Sequence, residues 1–203
     1  MTAARPTLYV IAGPNGAGKT TFYNTFLKGT LPGVEFVNAD LLAAERFGHH
    51  ATAPEESETG QALAKSRRHQ LMAGRQSFVT ESTFSHPSKL ELLADARALG
   101  YRVVVFHVNI VSGDLAVLRV EARVTEGGHP VPADKIRARY IRNQALIREA
   151  ALAADWAYVF DNSRLDQAPR RLFSLHHGRV ANLQAGLPAW ADTLYGVELA
   201  AAR

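Results

Sequence analysis

The run Gly13-Pro14-Asn15-Gly16-Ala17-Gly18-Lys19-Thr20-Thr21 concentrates phosphate chemistry in one short segment. It fits the pattern G-x-x-x-x-G-K-[ST]. Glycine permits the left-handed turns that point successive backbone N–H groups inward, and such a nest holds anionic oxygens. Lys19 is positioned by the pattern to set its ammonium between the β- and γ-phosphates of a nucleotide, and Thr20 to set its hydroxyl on Mg²⁺. At average residue usage the fixed positions arise by chance in about one chain in a hundred of this length. The alternative, a glycine-rich turn that binds nothing, is opposed by the flanks. Thr7–Ala12 is an apolar run of strand type, and Thr21–Lys28 can continue as a helix. Strand, glycine loop and helix form the context in which the motif works.

A phosphate cradle needs partners, and the ends of the other strands supply candidates. In an open parallel sheet, ligands sit beyond the carboxyl ends of the strands. Asp40 follows the strand-type run Glu35–Asn38, Glu81 follows Ser77–Thr80, and Asp161-Asn162-Ser163 follows Trp156–Phe160. Asp40 can take a proton from a hydroxyl nucleophile or hold Mg²⁺, directly or through water; as a structural residue it would cap the next helix. Glu81, with Thr83 beside it, can hold a metal-bound water or a substrate hydroxyl, or can simply cap its turn. Asn162 is assigned to the nucleotide side. The strand Val103–Ile110 carries no acidic residue and the chain has no Asn-Lys-x-Asp run, which argues against a motor or GTPase and favours ATP over GTP.

Arginines gather around a break in the chain. Arg119 and Arg123 are one helical turn apart on one face, and Arg137, Arg139, Arg142 and Arg148 lie beyond Gly127-Gly-His129-Pro-Val-Pro132. A helical hairpin over about 119–142 with inward arginines is a lid, able to exclude water and neutralise a transferring phosphoryl group. His129 is either a phosphate donor or a turn residue. Arg142 and Arg148 read as a solvated basic face, the pairs His49-His50 and His176-His177 as surface residues, and Trp156 and Trp190 as core.

The elements that must position these groups alternate strand and helix. Helical stretches are expected from Asp40, over Glu55–Gly74, Pro87–Leu99, Asp114–Thr125 and Ala133–Ala154. Two short strands are expected within Arg171–Gln184, and a last helix after Trp190. The pattern predicts an α/β fold of P-loop NTPase type, a parallel sheet with helices on both faces and a helical lid. The 203 residues make one domain, with a small C-terminal appendage at about 164–203. With 47% hydrophobic residues there is ample material for a core, and with no cysteine neither disulfides nor a cysteine metal site can form. The N-terminus enters the first strand without an apolar signal segment, and no apolar run reaches the length of about 18 residues of a membrane span. A cytoplasmic protein is expected. The net charge of +4, clustered between Arg119 and Arg148, suits a compact polyphosphate at least as well as a nucleic-acid track.

This set of runs resembles the zeta toxin family of P-loop kinases. The resemblance rests on Ala12–Thr21, Phe36-Val-Asn-Ala-Asp40, Phe78-Val-Thr-Glu-Ser-Thr83, Arg123-Val-Thr-Glu-Gly-Gly-His-Pro-Val-Pro132 and Ile136-Arg-Ala-Arg-Tyr140. It implies an ATP- and Mg²⁺-dependent kinase acting on a hydroxyl of a small molecule, such as UDP-N-acetylglucosamine or a related UDP-amino sugar, with an antitoxin as a candidate partner only. Carried over, Lys19 and Thr20 bind phosphates and Mg²⁺, Asp40 looks like the catalytic base, and Glu81 like the substrate-contacting carboxylate. Arg119 or Arg123 stands for the first lid arginine. The second aligns with His129, a departure from the family, or is supplied by Arg137 or Arg139. The chain looks like compact chromosomal members, so neither toxicity nor a cognate antitoxin follows from the resemblance. Two rival functions remain: an ATP-dependent switch without kinase activity, and a nucleic-acid-directed kinase, for which the local basic cluster is a weak motive.

Overall fold

Strands that alternate buried residues toward two opposite faces need cover on both sides, and the helices provide it. A computed structural model of the protein describes residues 5–125 and 131–202. Seven strands form one sheet in the order β2-β3-β1-β4-β5-β6-β7. They are β1 (Thr7–Ala12), β2 (Glu35–Val37), β3 (Phe78–Ser82), β4 (Arg102–Asn109), β5 (Trp156–Asp161), β6 (Arg170–His176) and β7 (Arg179–Ala181). The first five are parallel, as expected. The last two are antiparallel. A parallel neighbour requires a crossover of about a dozen residues, usually helical. The short, helix-free link from Asp161 to Arg170 cannot provide one, so the chain turns back on β5.

The helices are α1 (Lys19–Phe22), α2 (Ala39–Phe47), α3 (Pro54–Ala73), α4 (Ser88–Ala98), α5 (Gly113–Thr125), α6 (Ala133–Ala153) and α7 (Ala189–Ala200). On one face Leu8, Val10, Val103, Val105 and Val159 pack with Leu71 of α3, Leu93 of α4, Ile147 of α6 and Tyr195 of α7. On the other, Ile11, Val79 and Val108 pack with Phe22 of α1 and Val117 and Val120 of α5. The segment 164–202 is woven into this arrangement: β6 and β7 extend the sheet, and α7 buries Ala191, Tyr195 and Leu199 in the first core.

Local signals explain most boundaries. Asn38 caps α2, its Oδ1 accepting from the N–H groups of Asp40 at 2.8 Å and Leu41 at 3.1 Å. Pro54 opens α3, and the Glu56 carboxylate reaches back to the N–H groups of Thr52 and Ala53. The helix expected over Thr21–Lys28 is α-helical only to Phe22; Tyr23–Leu27 is a π-helix, in which Tyr23 stacks on Phe36 with ring centroids 3.8 Å apart. Helices α5 and α6 form a hairpin, tied where Arg137 donates to Asp114 at 2.6 Å and the Tyr140 hydroxyl donates to the Ile110 carbonyl at 2.7 Å. The hairpin's Gly127-Gly-His129 tip lies outside the described residues. Among the described residues no helix is long and apolar enough to cross a membrane.

Candidate active site

The glycine loop links the carboxyl end of β1 to α1 at the centre of the sheet. Gly16 and Gly18 have φ of 72° and 80°, the left-handed region that glycine enters without a Cβ penalty. Gly13 is required for a different reason: a Cβ there would lie 2.1 Å from the Val108 carbonyl oxygen of β4. The loop thus lies directly against the strand beside it. Pro14 is buried, and its carbonyl accepts from Lys19 Nζ at 3.2 Å and from the Ala17 N–H at 3.3 Å. Asn15 keeps a buried Oδ1 without a partner among the described residues, and Thr21 is exposed.

Lys19 is only 8% exposed. Burial weakens its hold on its proton, the negative charges of Glu81 and then Asp40 counter that, and Arg123 adds to the burial effect. The charges of Glu81, Asp40 and Arg123, the last on the α5–α6 hairpin, therefore all bear on one ammonium. Thr20 donates its hydroxyl to Glu81 Oε2 at 2.9 Å. Asp40 sits exposed in the first turn of α2, and Asn38, not Asp40, is that helix's cap. The capping alternative for Asp40 is therefore removed.

The segment after β3 is held in an unusual conformation. Phe84 has φ of 50°, in a region costly for a bulky side chain, and it is completely buried. The buried Asn143 of α6 donates to the Thr83 carbonyl at 2.8 Å, and Ser82 Oγ accepts from the Phe84 N–H at 3.0 Å. These contacts set where Glu81 and Thr83 stand. Asn143 has no signal in the sequence, because its partner is 60 residues away. Asn38 does have one, since an asparagine just before a helix start is a capping signature.

The two arginines of α5 differ. Arg119, half-buried on α5, donates to the carbonyls of Gly16 and Ser163, both at 3.3 Å. Arg123, one turn further, is exposed and lies within electrostatic reach of Lys19. Asn162 donates through Nδ2 to the Ala17 carbonyl at 2.8 Å. Arg139 is half-buried on α6, with no hydrogen bond or ion pair to the loop among the described residues; Arg137 is engaged with Asp114. His129 lies outside the described residues.

The residues present suit a magnesium nucleotide. Among the described residues no group of three or more His, Asp or Glu could hold a metal ion alone. The Thr20 hydroxyl and the Glu81 carboxylate are hard oxygen donors at one point, and Mg²⁺ is typically held by one or two such protein groups plus substrate phosphates and water.

Comparison with known proteins bears on the fold and the family. No curated protein matches the chain. Among solved structures, a chain of the AvrRxo1-ORF1:AvrRxo1-ORF2 complex with ATP is similar, with a TM-score of 0.65 at 17% identity over 96% of this chain. This chain spans only 63% of that one. A chain of the PezAT chromosomal toxin–antitoxin system of Streptococcus pneumoniae gives a TM-score of 0.64 at 14% identity, covering 98% of this chain and 87% of that one. Shikimate kinase from Bacteroides thetaiotaomicron gives 0.51 at 19% identity, covering 79% and 89%. At these identities the likeness is one of fold, a P-loop kinase fold. The family is shown by sequence: the zeta toxin family model matches residues 1–166, a stretch holding every loop, strand-end and hairpin residue described above, and the chain belongs to that family.

Proposed function

We propose that the protein is an ATP-dependent phosphotransferase that moves the γ-phosphate of ATP to a hydroxyl of a small molecule, with UDP-N-acetylglucosamine or a related nucleotide sugar as the first candidate acceptor. The observation that carries this reading is the convergence on Lys19. A phosphate loop alone would serve any nucleotide binder, whereas here Glu81 and Asp40 both act on the same ammonium and Glu81 accepts from Thr20. A site with both a phosphate side and a carboxylate side can hold a donor and activate an acceptor.

In this reading the backbone N–H groups of Gly13–Thr21 other than Pro14, together with Lys19, would cradle the phosphates, and Thr20 with Glu81 or Asp40 would hold Mg²⁺, directly or through water. Bound there, the ion would neutralise charge on the β- and γ-phosphate oxygens. Asp40 orients the acceptor hydroxyl and takes its proton as the new P–O bond forms and the bond to ADP breaks. Glu81 and Thr83 contact the acceptor, together with Arg139 and His129 from the lid. Arg123 supplies positive charge to the transferring group, and Arg119 adds its own from behind the loop. Membership of the zeta toxin family supports an antitoxin as a protein partner and a role in the cytoplasm.

The test is incubation of the protein with Mg²⁺, ATP and a panel of nucleotide sugars, read by mass for one added phosphate. Asp40→Asn is expected to lower product formation by about a hundredfold or more, the scale of general-base catalysis, with ATP affinity nearly unchanged. Undiminished product from Asp40→Asn refutes the assigned base. An ATP-dependent switch would instead bind ATP stoichiometrically and phosphorylate nothing in the panel or in a metabolite extract.

A further inference from the structure

A nest that turns its N–H groups inward must turn its carbonyls outward, and those carbonyls need donors of their own. In this protein two of them are met from one place. The Gly16 carbonyl accepts from Arg119 and the Ala17 carbonyl from Asn162. The packing is close: a Cβ on Gly18 would lie 2.7 Å from Asn162 Nδ2. Arg119 also donates to the Ser163 carbonyl, so the turn at 161–163 and the back of the phosphate loop are bridged twice.

That turn is itself anchored. The Asn162 N–H donates to the Asn109 carbonyl at the end of β4, at 2.7 Å. One oxygen of Asp161, Oδ1, accepts from the Ser163 hydroxyl at 2.5 Å and from the Trp190 indole Nε1–H at 3.1 Å. Trp190 stands in the first turn of α7, whose Tyr195 is fully buried and bonded to His107 of β4 at 2.8 Å. A continuous path therefore runs from the core, through α7 and Asp161, to the outer carbonyls of the loop. Its far end lies outside residues 1–166, the stretch that matches the zeta toxin family.

We propose that Trp190 and Asp161 are positioning residues for the phosphate nest: by fixing the 161–163 turn they hold Asn162 and Arg119 against the Ala17 and Gly16 carbonyls and so preorganise the loop for polyphosphate. In this arrangement Asn162 acts on the nucleotide through the loop backbone. A preorganised nest binds more tightly because less ordering is left to the ligand. The effect belongs to phosphates and not to the adenosine end of the nucleotide.

The proposal rests on the reading of Gly13–Thr21 as a polyphosphate site, and one titration separates the two. Wild type, Trp190→Phe and Asn162→Ala are titrated calorimetrically with ATP and with inorganic tripolyphosphate, and thermal unfolding of each is recorded. Phenylalanine keeps the aromatic packing and removes the N–H. Each variant is expected to weaken both ligands about fivefold, the equivalent of one net hydrogen bond, by the same factor for ATP as for tripolyphosphate. Trp190→Phe is expected to keep its melting temperature close to that of wild type, and Asn162→Ala gives an independent measure should Trp190→Phe fold poorly. Wild-type affinity for tripolyphosphate in both variants, or weakening of ATP alone, overturns the positioning role. A wild type that binds neither ligand overturns the reading of the site, and this inference with it.

Discussion

His107 gives a quantitative test of how this fold responds to acid. It lies on β4, completely buried; Nδ1 is 2.8 Å from the Tyr195 hydroxyl and Nε2 has no hydrogen-bond partner among the described residues. Burial pushes its pKa down to about 3 from the ordinary 6.5. Between those values the unfolded chain carries a proton on this ring that the folded protein refuses. The unfolded state then binds more protons, so stability falls as pH falls, beginning near 6.5 and continuing toward 3. Each pH unit in that window costs about 1.4 kcal/mol, so acidifying from pH 7.5 to 4.5 removes about 3 kcal/mol through this residue alone. Against a total stability of about 5–15 kcal/mol that is a large loss. The assay is urea unfolding of wild type and His107→Gln at several pH values across this range. Glutamine cannot titrate, and its amide can still meet the Tyr195 hydroxyl. The variant is expected to be less stable at pH 7.5 and to lose about 3 kcal/mol less than wild type over the range. Glu35, held low chiefly by its bonds to Arg67, and Glu56, held low by the Thr52 and Ala53 N–H groups, also lose stabilisation as pH falls through their folded values. They do so equally in both proteins and cancel in the comparison. Parallel pH profiles would refute the claim that His107 is held neutral in the core.

Two further substitutions probe the site's scaffold. Asn38→Ala removes the cap that satisfies the Asp40 and Leu41 N–H groups and is expected to cost about 1 kcal/mol in unfolding free energy. It should also slow phosphoryl transfer, because Asp40 rides on that first turn, while Asn38→Ser should retain most of both properties. Gly13→Ala forces a methyl against the Val108 carbonyl and is expected to cost about 3 kcal/mol, with ATP affinity falling in parallel. A Gly13→Ala protein of wild-type melting temperature would show that the loop is not seated against β4 as described.

Much of this protein is written in local patterns. The apolar runs at Thr7–Ala12 and Val103–Ile110 and the glycine loop between strand and helix depend on near neighbours, and their elements lie where those patterns put them. The convergence of Asp40, Glu81 and Asn162 near Lys19 follows from one topological rule, that parallel strands present their ends at one edge. The π-helical stretch after Phe22 was not legible, because helical periodicity does not separate an α-helix from a π-helix over so few residues. The direction of β6 was not legible either, because it depends on the absence of a crossover and not on the strand's own residues.

Sequence by itself determined the phosphate loop, the family, and the residue types that bring carboxylates and arginines to it. Tertiary structure alone decided which groups meet. It gave the start of α2 to Asn38 and left Asp40 exposed with its charge bearing on Lys19. It turned Arg119 toward loop carbonyls and left Arg123 within reach of the Lys19 ammonium. It also tied the loop's back to α7 through Asp161 and Trp190. The physical reason is the same in each case. A motif specifies backbone conformation over a few residues, whereas a hydrogen bond such as that from Asn162 to the Ala17 carbonyl joins residues 145 apart and exists only once the sheet has brought its strand ends together.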